Sequence, residues 1–442
     1  MLAVALPILI ALSGRANAHA SHHEEFYPGV QQPLAMMDVV DVATEPWTSK
    51  YGLQYDLGYT GPLSFSHLPY ARCLEDGAAR FDIGLLGMPF DTTTSYRPGA
   101  RFGPYAIRSG SRRQRAASGT LAWGTSPADL GAGLLDCGDV PVSAYDNAKA
   151  LDQMEAAYST LLGRPVQGGT TAAYKPSTAA FALDGIEHPR IVTLGGDHTI
   201  VLPILRALNK VYGPVSVIHF DAHLDTWPSP PSASEQERIT HGSFFAIAAE
   251  EGLLTNTSIH AGIRCKMHAL DDIEHDDSVG FQVISTDDID DYGIRKVIKK
   301  IRERIGKNPV YLSLDIDVVD PGLAPASKRL QINPPLIYYT DLRFQRAHPS
   351  QVRVRRLAVF YPSLTGELTG GWTTREVKRI LRGLAGLNFV GADIVEVAPA
   401  YDNADITGIA AADLVYDFLA MLQLESPPLP HQGPFSESDL AH

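Results

Sequence analysis

At 442 residues, 45% hydrophobic and 20% charged, the chain can bury the core of one large α/β domain or two smaller ones. Its formal net charge of -13 argues against generic affinity for nucleic acid or an anionic membrane, because both reward an excess of Lys and Arg. A small cationic substrate answers to local charge instead.

Residues 1–20 read as a secretory signal. Leu2 to Leu12 is an apolar run, and Ala16-Asn17-Ala18 or Ala18-His19-Ala20 offers a small-residue cleavage site. No Lys or Arg precedes the run, so a mitochondrial presequence or a cytoplasmic chain with an upstream start is the alternative. Residues 21–60 are polar, with Pro and acidic residues, and are expected to form an arm. The main domain is expected over 61–425, with 426–442 as a tail. No later segment has the length and apolarity of a membrane span. Asn256-Thr257-Ser258 is a lone glycosylation sequon. Cys73, Cys137 and Cys265 are too few for a disulfide framework; buried thiols are expected, with one bridge possible.

From Phe81 onward, strand-like and helix-like stretches alternate. Strands are expected at Phe81–Met88, Ile191–Leu194, Val215–Phe220, Ser258–Ile263, Gly280–Ser285, Val310–Asp315 and Phe389–Glu396. Helices are expected near 103–112, 147–162, 199–209, 242–251, 292–305, 373–385 and 403–422. This alternation predicts an α/β fold with a mainly parallel sheet covered by helices on both faces. Ligands of such sheets gather at the carboxyl ends of the strands. Asp287, Asp288, Asp290 and Asp291 precede a run with Lys296, Lys299, Lys300, Arg302 and Arg304, an order that complements a helix dipole.

One segment breaks the pattern. Between about 327 and 367 lie Lys328, Arg329, Arg343, Arg346, Arg353, Arg355 and Arg356 against Asp341 and Glu367, with Pro334, Pro335, Pro349 and Pro362. It shows no sustained helical or strand period, and long structureless loops are uncommon inside compact domains. It reads first as translated non-coding sequence from a misplaced splice boundary; a lid or partner-binding insertion is the alternative.

The chemistry concentrates on three segments: Ile191 to His198, Val215 to Asp225, and Val310 to Asp317. In extended strands Asp221, His223 and Asp225 would share one face, as would Asp315 and Asp317. With His198, these residues form a crowd of carboxylates and imidazoles that buried strand ends tolerate only around a cation. A two-metal site follows, able to generate hydroxide near neutral pH. Donors without thiolates suit Mn2+, Fe2+, Co2+ or Zn2+, and donor type alone does not choose among them.

Gly195-Gly196-Asp197-His198, Asp221-Ala222-His223-Leu224-Asp225 and Ser313-Leu314-Asp315-Ile316-Asp317-Val318-Val319-Asp320-Pro321 resemble the three signature motifs of the ureohydrolase family, which includes arginases, agmatinases and guanidinobutyrases. The resemblance covers about residues 60–422 apart from 327–367. It implies a three-layer αβα arginase-like fold and two Mn2+ per subunit. Carried over by position, His198 and Asp225 would bind one ion, His223 and Asp317 the other, and Asp221 and Asp315 would bridge them. Glu396 matches the family carboxylate that grips the guanidinium, and His241 the histidine that moves protons or contacts the departing amine. Asp225 could also orient the bridging hydroxide. Gly87-Met88-Pro89-Phe90-Asp91, Arg97-Pro98-Gly99-Ala100-Arg101-Phe102-Gly103-Pro104 and Glu396-Val397-Ala398-Pro399-Ala400-Tyr401-Asp402 look like the agmatinase version.

The resemblance therefore implies hydrolysis of a small guanidino substrate: agmatine to putrescine and urea first, and 4-guanidinobutyrate next. An assembly of identical subunits is also expected. The physical discriminator is the far end of the pocket, where a carboxylate favours agmatine and an Arg favours guanidinobutyrate; Arg97 and Arg101 are candidates. The competing reading is a catalytically impaired ureohydrolase-like binding protein, silenced by the 327–367 segment.

Overall fold

Short apolar segments build the sheet. In the computed structural model, β1 (Ile83–Gly87), β2 (Leu134–Asp139), β3 (Arg190–Leu194), β4 (Ser216–Phe220), β5 (Ser258–Ile263), β6 (Phe281–Ser285), β7 (Val310–Asp315) and β12 (Phe389–Val395) pair in the order β2-β1-β3-β12-β7-β4-β5-β6. Every pairing in this sheet is parallel. The structure describes residues 62–429, apart from 176–177, 230–231, 268–270 and most of 327–368. The expected leader, the whole expected arm and residues 430–442 of the expected tail lie outside the described residues.

Strand alternation divides the core between the two faces. Ile218 and Phe220 of β4, with Val310, Leu312 and Leu314 of β7, pack with Val297, Ile301, Val377, Leu381, Leu414 and Phe418 on one side. Val217 and Tyr311 point the other way, among Met154, Leu161, Leu205, Leu208, Phe244 and Phe245. Helices thus cover both faces, giving the αβα sandwich. The helix Thr374–Leu384 illustrates the local logic. Thr373 and Glu376 form a reciprocal capping box, and Val377, Ile380, Leu381 and Leu384 make its buried stripe.

The chain leaves β3 for β4 with a gap between them, which β7 and β12 later fill. The four central neighbours β3, β12, β7 and β4 therefore end together at one edge. Such a reversal of strand order opens a crevice outside the carboxyl ends.

Several expectations need correction. The edge strand Leu134–Asp139 was missed, because its Leu-Leu-Asp-Cys-Gly-Asp sequence carries a weak strand signal. The helix Asp271–Val279 was missed because only Asp276 and Val279 of it are buried. The expected helix 292–305 is two, Asp288–Tyr292 and Ile294–Ile305, broken at Gly293 with φ 81°. The acidic run therefore lies mainly inside the first short helix, where Asp288 accepts from the Ser285 backbone N–H at 2.9 Å.

Two of the three cysteines are not thiols: Cys73 and Cys137 form a disulfide, and Cys265 stays free and buried. The segment before Cys73 runs along β2, with the Ala71 N–H donating to the Asp136 carbonyl at 3.0 Å, and this brings the two cysteines together.

The 327–367 segment, expected to lack strand structure, holds four short strands among its described residues. β8 (Gln331–Ile332) pairs with β11 (Leu364–Thr365), and β9 (Leu336–Tyr339) with β10 (Leu357–Phe360). Both ladders are antiparallel and share one register. Arg343, Arg346, Arg353, Arg355 and Arg356 lie outside the described residues.

Candidate metal centre

Each of the three motifs contains an aspartate whose side chain accepts the backbone N–H two residues on. Asp197 accepts from Thr199 at 3.0 Å, Asp221 from His223 at 2.5 Å, and Asp315 from Asp317 at 2.8 Å. These are side-chain-closed turns just past the strand ends. They replace the extended alternation expected from the spacing. β4 stops at Phe220, Asp225 takes a left-handed backbone with φ 55°, and Asp317 sits in a single 3-10 turn. The period-two spacing is thus a turn signature.

The first motif also needs its glycines. A Cβ on Gly196 would fall 1.8 Å from the Phe90 carbonyl oxygen. That close approach lets Asp197 accept from the Thr93 hydroxyl at 2.6 Å and sets His198 beneath it. His198 is fully buried. Its Nε2 meets the Ser313 hydroxyl at 2.7 Å, and that hydroxyl donates to Asp393 at 3.0 Å. Ser313 can then only accept from His198, so Nε2 carries the proton and Nδ1 presents a lone pair.

That lone pair faces three carboxylates. His198 Nδ1 lies 3.1 Å from Asp221 Oδ2, 3.1 Å from Asp225 Oδ2 and 3.6 Å from Asp315 Oδ2, and it makes no hydrogen bond. Beside it, His223 Nδ1 lies 3.2 Å from Asp221 Oδ1 and 3.0 Å from Asp317 Oδ2. All six residues are buried. Asp221 belongs to both donor groups that close around a common point: one also contains His198, His219 and Asp225, the other His223 and Asp317.

Lone pairs set against buried carboxylate oxygens repel unless positive charge lies between them. The titration tendencies say the same. Burial, reinforced by Asp221, pushes Asp225 up to about 6. Burial, then Asp317 and Asp221, pushes Asp315 well above the carboxylate range. Burial alone would lower His198 and His223, yet the carboxylates around them raise both well above the usual imidazole value. Asp221 resists burial and stays well below its usual value, through His219 first and then hydrogen bonds from His198, His219 and His223. The pocket is built to take up cations, and its N/O donor set fits a pair of divalent ones.

Glu396 follows β12 in a left-handed conformation, φ 65°. This strained backbone is the kind that clusters at functional sites. Its fully buried carboxylate accepts from the His198 backbone N–H at 2.8 Å and lies 3.8 Å from His241 Nδ1. His241, also buried, turns its Nε2 to the Ser95 hydroxyl at 3.0 Å. The two Arg candidates separate. Arg101 is committed to buried Asp91, at 2.5 Å. Arg97 lies over Tyr96 at 5.0 Å and Tyr401 at 5.4 Å from the ring centres, with no carboxylate partner among the described ion pairs.

The expected ligands and the expected Glu396 and His241 thus converge on one crevice. Ser95, Ser313, Asp393 and His219 were not expected. His219 and Ser313 carried a legible signal, since His219 shares the parity of Asp221 just past β4 and Ser313 that of Asp315 on β7; Ser95 and Asp393 are joined to the site only by the fold.

The arginase family matches residues 81–329 and 358–421, and the chain belongs to that family. "Putative agmatinase 1" of Schizosaccharomyces pombe is 42% identical over 423 residues, 94% of either chain. A guanidinobutyrase of Pseudomonas aeruginosa is 31% identical over 82% of this chain and 93% of its own. Among solved structures, proclavaminate amidino hydrolase from Streptomyces clavuligerus superposes with a TM-score of 0.64 at 29% identity, over 84% of this chain and all of that one. The fold is arginase-like, the protein is a hydrolase of the ureohydrolase type, and the family implies a binuclear metal site.

Proposed function

We propose that this chain hydrolyses agmatine to putrescine and urea with two Mn2+ bound. The observation that carries the reading is the buried Glu396 carboxylate beside His241, next to a pocket that demands two cations. In this reading His198, Asp221, His223, Asp225, Asp315 and Asp317 would hold the two ions. Such a pair, when bound, supplies activated water near neutral pH. Glu396 pairs with the guanidinium and fixes its plane. Water adds to the guanidinium carbon, the bond to the alkyl nitrogen breaks, and His241, held by Ser95, carries a proton toward the departing amine. The name of the S. pombe relative supports agmatine as the substrate.

Arg97 favours a second reading. Ser95 touches His241, and Tyr401 follows five residues after Glu396, so Arg97 stands where these two site-lining segments meet. A cation there would repel the ammonium of agmatine and attract the carboxylate of 4-guanidinobutyrate. Urea release with added Mn2+ should be compared across agmatine, 4-guanidinobutyrate and arginine, for the parent and Arg97→Ala. Preference for agmatine, unaltered by Arg97→Ala, upholds the first reading. Preference for guanidinobutyrate that collapses in the variant upholds the second. No urea from any of them, with metal bound, defeats both. The Cys73–Cys137 disulfide and the N-terminal apolar run support an oxidising, secretory compartment.

A further inference from the structure

Behind the carboxylates runs a chain of buried polar groups that the reaction itself does not use. His219 Nε2 stands 3.0 Å from Asp221 Oδ2, and His219 Nδ1 meets His260 Nδ1 at 2.7 Å. His260 Nε2 then meets Asp276 Oδ1 at 2.9 Å. The same oxygen accepts from the Thr226 hydroxyl at 2.7 Å. Thr226 follows Asp225 directly in the chain.

The register of the sheet brings the two rings together edge-on, 4.9 Å apart at 70°, since His219 of β4 lies opposite His260 of β5. His260 stacks on Phe281 at 4.1 Å, and His219 meets Phe245 edge-on at 4.9 Å. His260 is held at both nitrogens and stacked on one face, which fixes its ring; His219 is held at Nδ1, and its Nε2 is left facing Asp221 Oδ2 without a hydrogen bond. Asp276 comes from the helix Asp271–Val279, which buries little else. His219, His260, Asp276 and Thr226 are at most 1% exposed.

A buried carboxylate and two imidazoles are costly furniture for a core that apolar residues would fill more cheaply. Asp276 reaches the metal pocket by two routes: through the rings to Asp221, and through Thr226 to the turn that carries Asp225. We infer that Asp276 is a positioning residue that holds Asp221 and Asp225 in the geometry needed for two ions, with His260, His219 and Thr226 as its links. The inference rests on the reading of this pocket as a binuclear metal centre. Groups that orient ligands in this way typically govern metal affinity by 10- to 100-fold.

The test is Mn2+ titration by calorimetry into chelator-stripped full-length protein, with the electron paramagnetic resonance spectrum of the loaded Mn2+ pair as a second readout. Asp276→Asn keeps the size of the side chain and an acceptor for Thr226, but removes the charge. It should bind at least one Mn2+ roughly 10- to 100-fold more weakly than the parent and alter the spin-coupled signal. KM at saturating Mn2+ should stay within about twofold. A merely structural strut would lower the melting temperature and leave Mn2+ affinity and spectrum unchanged, and that outcome overturns the inference. If Asp276→Asn does not fold, Thr226→Val cuts one route alone; weakened Mn2+ binding then supports the role, and parental binding refutes it. Parent protein that binds no Mn2+ would overturn the metal-centre reading and this inference together, whereas two tight ions in both parent and variant would remove the positioning role alone.

Discussion

Replacing Glu396 with Gln separates substrate recognition from metal binding. The amide oxygen of Gln can still accept from the His198 N–H, now 2.8 Å from Glu396 Oε1, so the turn that presents His198 keeps its brace. What disappears is a negative charge in a fully buried site. Truncating one partner of a buried, hydrogen-bonded charge pair costs about 2–5 kcal/mol. At 1.4 kcal/mol per tenfold, kcat/KM for the guanidino substrate should fall by roughly 30- to 4,000-fold. The assay is urea release at saturating Mn2+, with metal content measured by atomic absorption. Metal content should match the parent's. A kcat/KM within threefold of the parent would refute the assignment of Glu396 to the guanidinium. Loss of metal alongside activity would show instead that the residue serves the ions.

The pocket also predicts an inverted pH response. In the chelator-stripped protein Asp225 and Asp315 are raised, as are His198 and His223. Each therefore binds its proton more tightly folded than unfolded, and adds stability at low pH that is lost as pH rises through the folded value. His219, lowered by burial to about 3, opposes them below its ordinary 6.5, and the depression of Asp221 acts only below 3.8. The two histidines act only above their ordinary 6.5, and below it the two raised carboxylates oppose His219, so the melting temperature of stripped protein should rise from pH 7 to pH 5, while that of Mn2+-loaded protein falls as protons displace metal; a stripped protein that loses stability over that range would refute the reasoning. Cys73→Ser opens a disulfide that closes a 64-residue separation, for which loop entropy predicts a loss of about 4 kcal/mol. Denaturant unfolding measures it, and an unchanged midpoint would show that the bridge contributes nothing.

Much of the centre was legible before any fold was known. Six donors in three clusters, each at the end of an apolar strand-like run, announce a cation site because so many carboxylates and imidazoles crowded at buried strand ends repel unless positive charge lies between them. The reason first attached to their spacing was wrong. Residues two apart in Asp221-Ala222-His223 and in Asp315-Ile316-Asp317 converge through turns closed by the first aspartate. An identical spacing serves both explanations, so only backbone geometry separates them. The disulfide shows a similar limit. Cys73 and Cys137 are far apart in sequence, and the short pairing of the Tyr70 segment with β2 that joins them leaves no periodic trace.

The alternation of strands and helices and the clusters of candidate metal ligands could be read from residue type and local pattern, and Glu396 as a candidate partner for a guanidinium from the family resemblance. Tertiary structure alone decided what stands behind and beside those groups. The Ser313–Asp393 brace sets the His198 tautomer through contacts between separate strands. Asp276 reaches Asp221 across two strands and a helix. Arg101 is committed to Asp91 while Arg97 lies between two tyrosines. Such contacts depend on strand order and register, which a parallel sheet draws from distant parts of the chain.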